Sequence, residues 1–264
     1  MINESLTTLT LPYDDSRTKT VRVFVPAHGE GEKFPVIYMT DGQNLFDEES
    51  SSFGSWHTRE AVRAELESGG RGAVIVGIHN DEDPKTRASE LMPKGIGTLV
   101  GPEEIIRSFT PAGEAFDSFV IDTVIPEIEK SFPVLTGREN TAFCGSSSGG
   151  MMSLFTALSH PDVYGAAGVL SPALMAYQPD DWFRWLSSSL RGEKPYLYLY
   201  SGGADKMEQV ILQVTEMACG MLSQCYPEKL FKKVIKPGQR HNEAAWEPEF
   251  REFLHIFLNR TWEQ

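Results

Sequence analysis

The chain has 264 residues, of which 41% are hydrophobic and 23% are charged, so it can bury a sizeable core and lacks the composition of a disordered protein. With 24 Lys and Arg against 37 Asp and Glu, its formal net charge of −13 at pH 7 argues against nucleic acid or a membrane as partner. Its three cysteines, Cys144, Cys219 and Cys225, have no metal-type spacing and suit free thiols in a reducing compartment.

The first twenty residues are polar and acidic, without the basic region and apolar run of a signal peptide. No later stretch approaches the ~20 apolar residues that are needed to cross a bilayer. We therefore expect a cytoplasmic protein. No linker, charge block or repeat divides the sequence, which favours a single domain over residues 1–264, and nothing in the pattern indicates an oligomeric state.

Seven short apolar runs rich in β-branched and aromatic residues predict strands at 21–26, 34–38, 72–78, 141–145, 166–170, 196–200 and 231–235. Segments of helical period alternate with them, at 58–67, 115–131, 148–158, 181–190, 207–223 and 243–258. This alternation predicts an α/β fold with a mostly parallel central sheet and helices on both faces. In such folds the ligand site lies at the carboxyl ends of the strands.

The interval 79–113 breaks this alternation and contains Pro84, Pro93, Pro102 and Pro111. Long irregular connections in compact domains are usually functional or mobile. We therefore expect this interval to form a wall of a substrate cleft.

The segment TAFCGSSSGGMM, which begins at Thr141, leads from a strand-like run into a helix-like run. A hydrolytic serine must be held exposed beside a base, and a sharp strand-turn-helix elbow does this when small residues flank it two positions away. Only Ser147 has glycine at both of these positions, Gly145 and Gly149. A Gly/Ser turn without chemistry is the alternative, but the flanking strand and helix favour Ser147 as a nucleophile.

In the α/β-hydrolase fold, which this elbow typifies, the acid and the histidine follow the nucleophile in that order. Asp205 lies in a tight turn after the strand at 196–200 and is the predicted acid. Its alternative role is a helix N-cap, Glu208 is its nearest rival, and Asp180 or Asp181 would serve after the preceding strand. His241 follows the last predicted strand and is the predicted base.

These residues predict a mechanism in which His241 takes the proton of Ser147, Asp205 holds the imidazole, and an acyl-enzyme forms and is hydrolysed. The oxyanion of the tetrahedral intermediate needs N–H donors. One predicted donor is the backbone N–H of Ser148, at the start of a helix. The other is the backbone N–H of Gln43, in the loop after an earlier strand.

The chain resembles the esterase family that includes esterase D, feruloyl esterases, enterochelin esterases and mycolyltransferases. Five segments in order carry the resemblance: YMTDGQNLFD at 38–47, VGIHN at 76–80 with the residues that follow it, GSSSGG at 145–150, HPDVYGAAGVLSP at 160–172 and HNEAAW at 241–246. The resemblance implies an α/β-hydrolase without a separate large lid domain, acting on carboxylic esters with no metal or organic cofactor. Leu91 departs from the tyrosine that is common at its position.

Four residues are candidates for the substrate cleft: Trp56, Arg87, Glu90 and Tyr177. Arg87 and Glu90 are predicted to pair and brace the long interval, with a substrate carboxylate as the alternative partner of Arg87. Trp56 and Tyr177 either line the cleft or pack in the core.

The predicted function is a serine carboxylic-ester hydrolase whose substrate is a small or medium acyl ester of the sugar, siderophore, feruloyl or thioester type. An acyltransferase on the same triad is one alternative, in which a sugar or lipid alcohol replaces water. A non-catalytic binding protein that retains the fold is another, and the complete set Ser147, Asp205 and His241 argues against it.

Overall fold

A computed structural model describes residues 1–49, 51, 53–260 and 262–263 of the chain. Its strands are β1 (Ser5–Pro12), β2 (Thr18–Val25), β3 (Val36–Met39), β4 (Val74–Ile78), β5 (Thr141–Ser146), β6 (Ala166–Leu170), β7 (Tyr196–Ser201) and β8 (Phe231–Ile235). They form one sheet in the order β1-β2-β4-β3-β5-β6-β7-β8. β2 pairs antiparallel with β1 and β4, and the other neighbours pair parallel.

The helices are α1 (Thr58–Glu67), α2 (Pro84–Leu91), α3 (Glu103–Ile106), α4 (Gly113–Phe119), α5 (Ile125–Ser131), α6 (Ser148–Ser159), α7 (Pro179–Ser189), α8 (Lys206–Cys225) and α9 (Glu243–Asn259). A π-helical turn at Val120–Val124 joins α4 to α5. The interval 79–113 is less irregular than predicted, because it contains α2 and α3. The start of α2 is capped by Asp83, whose side chain accepts from the backbone N–H of Thr86.

Two apolar clusters cover the two faces of the sheet. One face packs against α4, α5, α6, α7 and α8 through side chains such as Phe116, Leu154 and Trp182. The other packs against α1 and α9 through Trp56 and Phe250, among others. The central strands are therefore buried throughout, as expected for a parallel sheet with helices on both sides.

The predicted α/β-hydrolase architecture is confirmed, with a mostly parallel sheet, helices on both faces and no separate lid domain in the described part of the chain. The sequence prediction missed β1, whose alternating Ser, Thr and Leu residues leave one side exposed at the edge of the sheet. Among the described residues, no helix combines the length and apolar character required to span a membrane.

An ion pair at the end of α6 predicts that the stability of the protein depends on pH. His160 Nε2 lies 2.7 Å from Asp117 Oδ2, and Asp117 also accepts from the Thr156 hydroxyl. The hydrogen bond between His160 and Asp117 is the main reason that the pKa of His160 is raised. A raised histidine pKa means that the folded state binds the proton more tightly, so the stabilisation is full below the unfolded pKa of ~6.5 and is lost as pH rises through the folded pKa.

We therefore expect the free energy of unfolding of the wild type to fall, relative to that of His160→Gln, as the pH rises from ~6 to ~8. Urea denaturation at closely spaced pH values measures this difference. Parallel curves for the two proteins over this range would contradict the assignment.

Candidate active site

The candidate site lies at the carboxyl ends of four neighbouring parallel strands, β5 to β8. Ser147 follows β5 directly, Ser171 follows β6, Gly202 follows β7, and His241 lies beyond β8 just before α9. Because parallel strands end at the same edge of a sheet, four segments that are far apart in sequence meet here.

Ser147 occupies the turn between β5 and α6 in a backbone conformation that few residues other than glycine adopt, with φ 58° and ψ −123°. Its N–H donates to the carbonyl of Leu170, and its carbonyl accepts from the N–H groups of Met151 and Ala173. These three bonds hold a conformation that costs on the order of 1–3 kcal/mol. The side chain is thereby held at the tip of the turn.

The two glycines that flank Ser147 are required by the packing of a neighbouring loop. A Cβ atom added to Gly149 would lie 2.1 Å from Thr40 Oγ1, and one added to Gly145 would lie 2.6 Å from the same atom. Real Cβ atoms do not approach other atoms this closely. The glycine spacing in the sequence thus reflects contact between the turn at Ser147 and the loop after β3.

His241 bridges the serine and a buried carboxylate. Its Nε2 lies 3.0 Å from Ser147 Oγ, and its Nδ1 lies 2.7 Å from Glu208 Oε1. An ionised carboxylate can only accept a hydrogen bond, so the Nδ1 nitrogen that faces Glu208 carries the ring proton. Nε2 is then able to accept the serine proton. The imidazole also meets the Trp246 ring edge to face, with centroids 4.9 Å apart.

The choice of Asp205 as the acid partner of His241 is wrong, and its rival Glu208 occupies that position. Asp205 is the N-cap of α8: its Oδ1 accepts from the Glu208 N–H and its Oδ2 from the backbone N–H of His241, each at 2.9 Å. These backbone hydrogen bonds lower the pKa of Asp205. Glu208 is the third residue of α8, and helical side chains lean toward the N-terminus, so its carboxylate reaches back over the strand ends.

Glu208 is fully buried, and its carboxylate has several donors besides His241. Its Oε2 accepts from Ser201 Oγ at 3.1 Å and from the Gly202 N–H at 2.9 Å. Burial by itself raises the pKa of Glu208, but hydrogen bonds from His241 and Gly202 and the electrostatic interaction with His241 outweigh it, so the pKa is lowered. The first turn of a helix also favours a negative charge.

The turn after β3 carries one of the two predicted oxyanion donors. Asp41 lies in the left-handed region with φ 53°, and its N–H donates to Asn80 Oδ1 at 2.8 Å. A Cβ atom on Gly42 would lie 2.4 Å from the carbonyl carbon of Gly77, so this turn packs directly against β4. Gln43 follows within the 3₁₀ turn Gly42–Asn44, and its backbone N–H remains a predicted donor.

The second predicted oxyanion donor is the backbone N–H of Ser148. Ser148 is the first residue of α6, and the first N–H groups of a helix have no acceptor within that helix. The helix dipole also favours a negative charge at this end. This donor too remains a prediction.

Arg87 and Glu90 brace the site, but they do so with other partners than predicted. Arg87 Nε and one of its terminal nitrogens bind the two carboxylate oxygens of Asp41 at 2.6 and 2.8 Å. Glu90 is buried and pairs with Lys19 at 2.7 Å. The expected Arg87–Glu90 pair is therefore wrong, and Arg87 ties α2 to the turn that carries Gln43.

Of the two roles expected for Trp56 and Tyr177, the structure shows packing in the core for both. Trp56 is 3% exposed and packs against the rings of Trp246 and Phe250. Tyr177 is 1% exposed, and its hydroxyl donates to the carbonyl of Pro93 at 2.9 Å.

A cavity of about 400 Å³ adjoins the turn after β3 at Gln43. Its lining is mostly polar and comes from the β1–β2 hairpin, from Gln43 and from the interval 79–113. Residues of that interval in the lining are His79, Asn80, Asp81, Glu82 and Glu90. The interval 79–113 therefore forms one wall of this cavity, and its part in a substrate cleft stays a prediction.

Sequence reasoning missed three residues that surround Glu208 and His241: Ser171, Ser201 and Trp246. Ser171 and Trp246 both lie in segments that carry the family resemblance, LSP at 170–172 and HNEAAW at 241–246. The resemblance therefore points to the segments that contain Ser171 and Trp246. The contacts of these two side chains cannot be read from the sequence.

The chain matches a family of known proteins. Residues 16–255 match the model of the family described as "Putative esterase". The uncharacterized protein YbbA of Bacillus subtilis (strain 168) is 27% identical over 138 residues, which are 52% of this chain and 49% of that protein. The alignment thus spans about half the length of this curated relative.

Two solved structures share the fold across nearly the whole chain. The siderophore hydrolase EstA from Aspergillus nidulans superposes with a TM-score of 0.69 at 19% identity, over 96% of this chain and 94% of that one. The ferulic acid esterase AmCE1/Fae1A from Anaeromyces mucronatus, solved with ferulic acid, superposes with a TM-score of 0.68 at 21% identity, over 96% and 90%. At these identities the likeness concerns the fold.

Proposed function

The chain belongs to this esterase family, and we propose that it is a carboxylic-ester hydrolase that works through Ser147, His241 and Glu208 and an acyl-enzyme intermediate. One observation carries the proposal: His241 contacts Ser147 Oγ at 3.0 Å with one ring nitrogen and the buried Glu208 at 2.7 Å with the other. Nucleophile and orienting carboxylate are thus each within hydrogen-bond reach of the base, as nucleophilic catalysis requires.

In the acylation step, Ser147 Oγ attacks the ester carbonyl carbon while His241 Nε2 takes the hydroxyl proton. Glu208 keeps the other ring proton on Nδ1 and stabilises the imidazolium that forms. The negative charge on the former carbonyl oxygen would be held by the N–H groups of Gln43 and Ser148. His241 then gives its proton to the departing alcohol, which leaves the acyl group on Ser147.

In the deacylation step, a water molecule takes the place of the alcohol. His241 accepts a proton from this water as its oxygen attacks the acyl carbon, and it returns the proton to Ser147 Oγ as the carboxylic acid leaves. The same donors would hold the second oxyanion, so one set of residues serves both halves of the reaction.

We propose a small or medium acyl ester as the substrate, of the sugar, siderophore, feruloyl or thioester type. Two proteins that share the fold are a siderophore hydrolase and a ferulic acid esterase, which supports these classes of ester as substrates. The polar cavity beside Gln43 supports an ester whose alcohol or acyl part carries hydrogen-bonding groups. The net charge of −13 disfavours polyanionic substrates.

The experiment is an activity screen on the purified chain. We expect release of p-nitrophenol from p-nitrophenyl acetate and butyrate, and covalent labelling by a fluorophosphonate probe that stops this release. Addition of a sugar or lipid alcohol separates water from alcohol as the acceptor, because an acyltransferase would form the new ester. Absence of both hydrolysis and labelling would overturn the proposal.

A further inference from the structure

Glu243 is a buried carboxyl group beside the site that no step of the proposed mechanism uses. It is the first residue of α9, two positions after His241, and it is 8% exposed. Burial is the main reason that the pKa of Glu243 is raised. A buried carboxyl group is costly unless it makes hydrogen bonds, so its partner indicates what it is kept for.

Asn44 is the hydrogen-bond partner of Glu243. Its Nδ2 donates to Glu243 Oε1 at 3.2 Å, and its Oδ1 accepts from Ser51 Oγ at 2.9 Å. Asn44 is 6% exposed, and its backbone N–H donates to the carbonyl of Asp41 at 2.8 Å. Both ends of the amide are therefore engaged, and its NH₂ group faces the segment that carries His241.

Asn44 directly follows Gln43, whose backbone N–H is a predicted oxyanion donor. The residue at the start of this turn, Asp41, is held by the two hydrogen bonds from Arg87 of α2. The bond from Asn44 to Glu243 ties the end of the turn to α9, 199 residues further along the chain. Gln43 therefore lies between two anchored residues, and one of the anchors is the segment that also carries the base.

We propose that Asn44 and Glu243 are positioning residues, whose hydrogen bond holds the Gln43 N–H at a fixed distance from Ser147 and His241. This inference rests on the proposed function. Catalytic groups must be held to within about 0.5 Å, since a misplacement of about 1 Å can cost about a hundredfold in rate. A bond between the turn of the donor and the segment of the base fixes the spacing between these two parts of the site.

The test exchanges the donor and the acceptor of this bond. Asn44→Asp has the same shape and still accepts from Ser51, but it removes the NH₂ group and sets a carboxylate against Glu243. We expect kcat for p-nitrophenyl acetate to fall on the order of ten- to a hundred-fold with KM unchanged, because an oxyanion donor acts mainly in the transition state. Glu243→Gln keeps an acceptor for Asn44, so we expect it to lose much less than Asn44→Asp does.

The two substitutions Asn44→Asp and Glu243→Gln are then combined. In this double variant the amide at position 243 can donate to the carboxylate at position 44, so the bond is remade in the opposite direction. We expect its kcat to exceed that of Asn44→Asp by about tenfold or more. A double variant no more active than Asn44→Asp, or an Asn44→Asp kcat within about twofold of the wild type, would overturn the inference.

Inhibition by phenylboronic acid supplies a readout that a general loss of stability would not change. Ser147 Oγ binds the boron atom while His241 takes the hydroxyl proton, and the tetrahedral adduct mimics the intermediate in which the oxyanion forms. We expect the inhibition constant to rise in Asn44→Asp by the factor by which kcat/KM falls, and to return toward the wild-type value in the double variant. An unchanged inhibition constant beside a reduced kcat would contradict the proposed role.

Asn140→Asp is the matched control. Asn140 is 8% exposed and lies just before β5, at the opposite end of that strand from Ser147, and its Nδ2 donates to the carbonyl of Thr136 at 2.9 Å. We expect a lower free energy of unfolding with the wild-type kcat. A Ser147→Ala variant with wild-type activity would overturn the proposed function, whereas an inactive Ser147→Ala beside an unimpaired Asn44→Asp would overturn the inference alone.

Discussion

Replacement of Ser147 by alanine should lower kcat for p-nitrophenyl acetate by at least about 10⁴-fold, because the oxygen that forms the acyl bond is removed. Only the catalysis supplied by substrate binding and the oxyanion donors would remain. Alanine can occupy the same backbone conformation as serine, so we expect the variant to fold with little change in the free energy of unfolding. Initial rates and urea denaturation measure the two quantities.

Ser146→Ala is the control for this prediction. Ser146 is the preceding residue, ends β5 and is 5% exposed, so it does not present its hydroxyl to a substrate. We expect its kcat to stay within a few-fold of the wild type and fluorophosphonate labelling to persist. A Ser147→Ala protein that keeps more than about one per cent of the wild-type kcat would contradict the prediction.

Glu208→Gln should lower kcat by about 10³- to 10⁴-fold, because the amide has nearly the shape of the carboxylate but no charge with which to stabilise the imidazolium. Its NH₂ group can also face Nδ1 and favour the tautomer in which Nε2 carries the proton. KM for a neutral ester should change little, since Glu208 is fully buried and does not contact the substrate.

Asp205→Asn is the matched control, since it makes the same chemical change three residues away. Asparagine is as good an N-cap as aspartate and still accepts hydrogen bonds from backbone N–H groups. We expect kcat to stay within about tenfold of the wild type and the free energy of unfolding to fall by no more than about 1 kcal/mol. An inactive Asp205→Asn beside an active Glu208→Gln would reverse the assignment.

Ser147 and the order of elements could be identified from the sequence because both depend on local patterns. The alternation of apolar strand runs and amphipathic helices follows from how each segment buries its own side chains. The glycine register around Ser147 reports a turn that no larger residue can make. β1 escaped detection because an edge strand buries little apolar surface and its Ser and Thr residues dilute the pattern.

The carboxylate that pairs with His241 could not be chosen from the sequence. Asp205 and Glu208 both follow β7, and both have carboxylates close to the strand end. The start of α8 decides which of the two contacts the imidazole. Asp205 precedes the helix, and its carboxylate accepts hydrogen bonds from backbone N–H groups. Glu208 lies in the first turn, and its carboxylate points back toward His241. Such a difference of direction is a property of the folded backbone.

The sequence alone thus predicts the fold class, the sharp turn at Ser147 and the place of His241 after the last strand. The tertiary structure decided which groups pair: Glu208 with His241, Arg87 with Asp41, and Glu90 with Lys19, which lies 71 residues away. Hydrophobic periodicity and turn sequences depend on a few neighbouring residues, so they can be read from the sequence. The partner of a buried charged side chain depends on which strands lie side by side in the sheet. β2 lies beside β4, which brings Lys19 on β2 next to Glu90 in α2, the helix that follows β4.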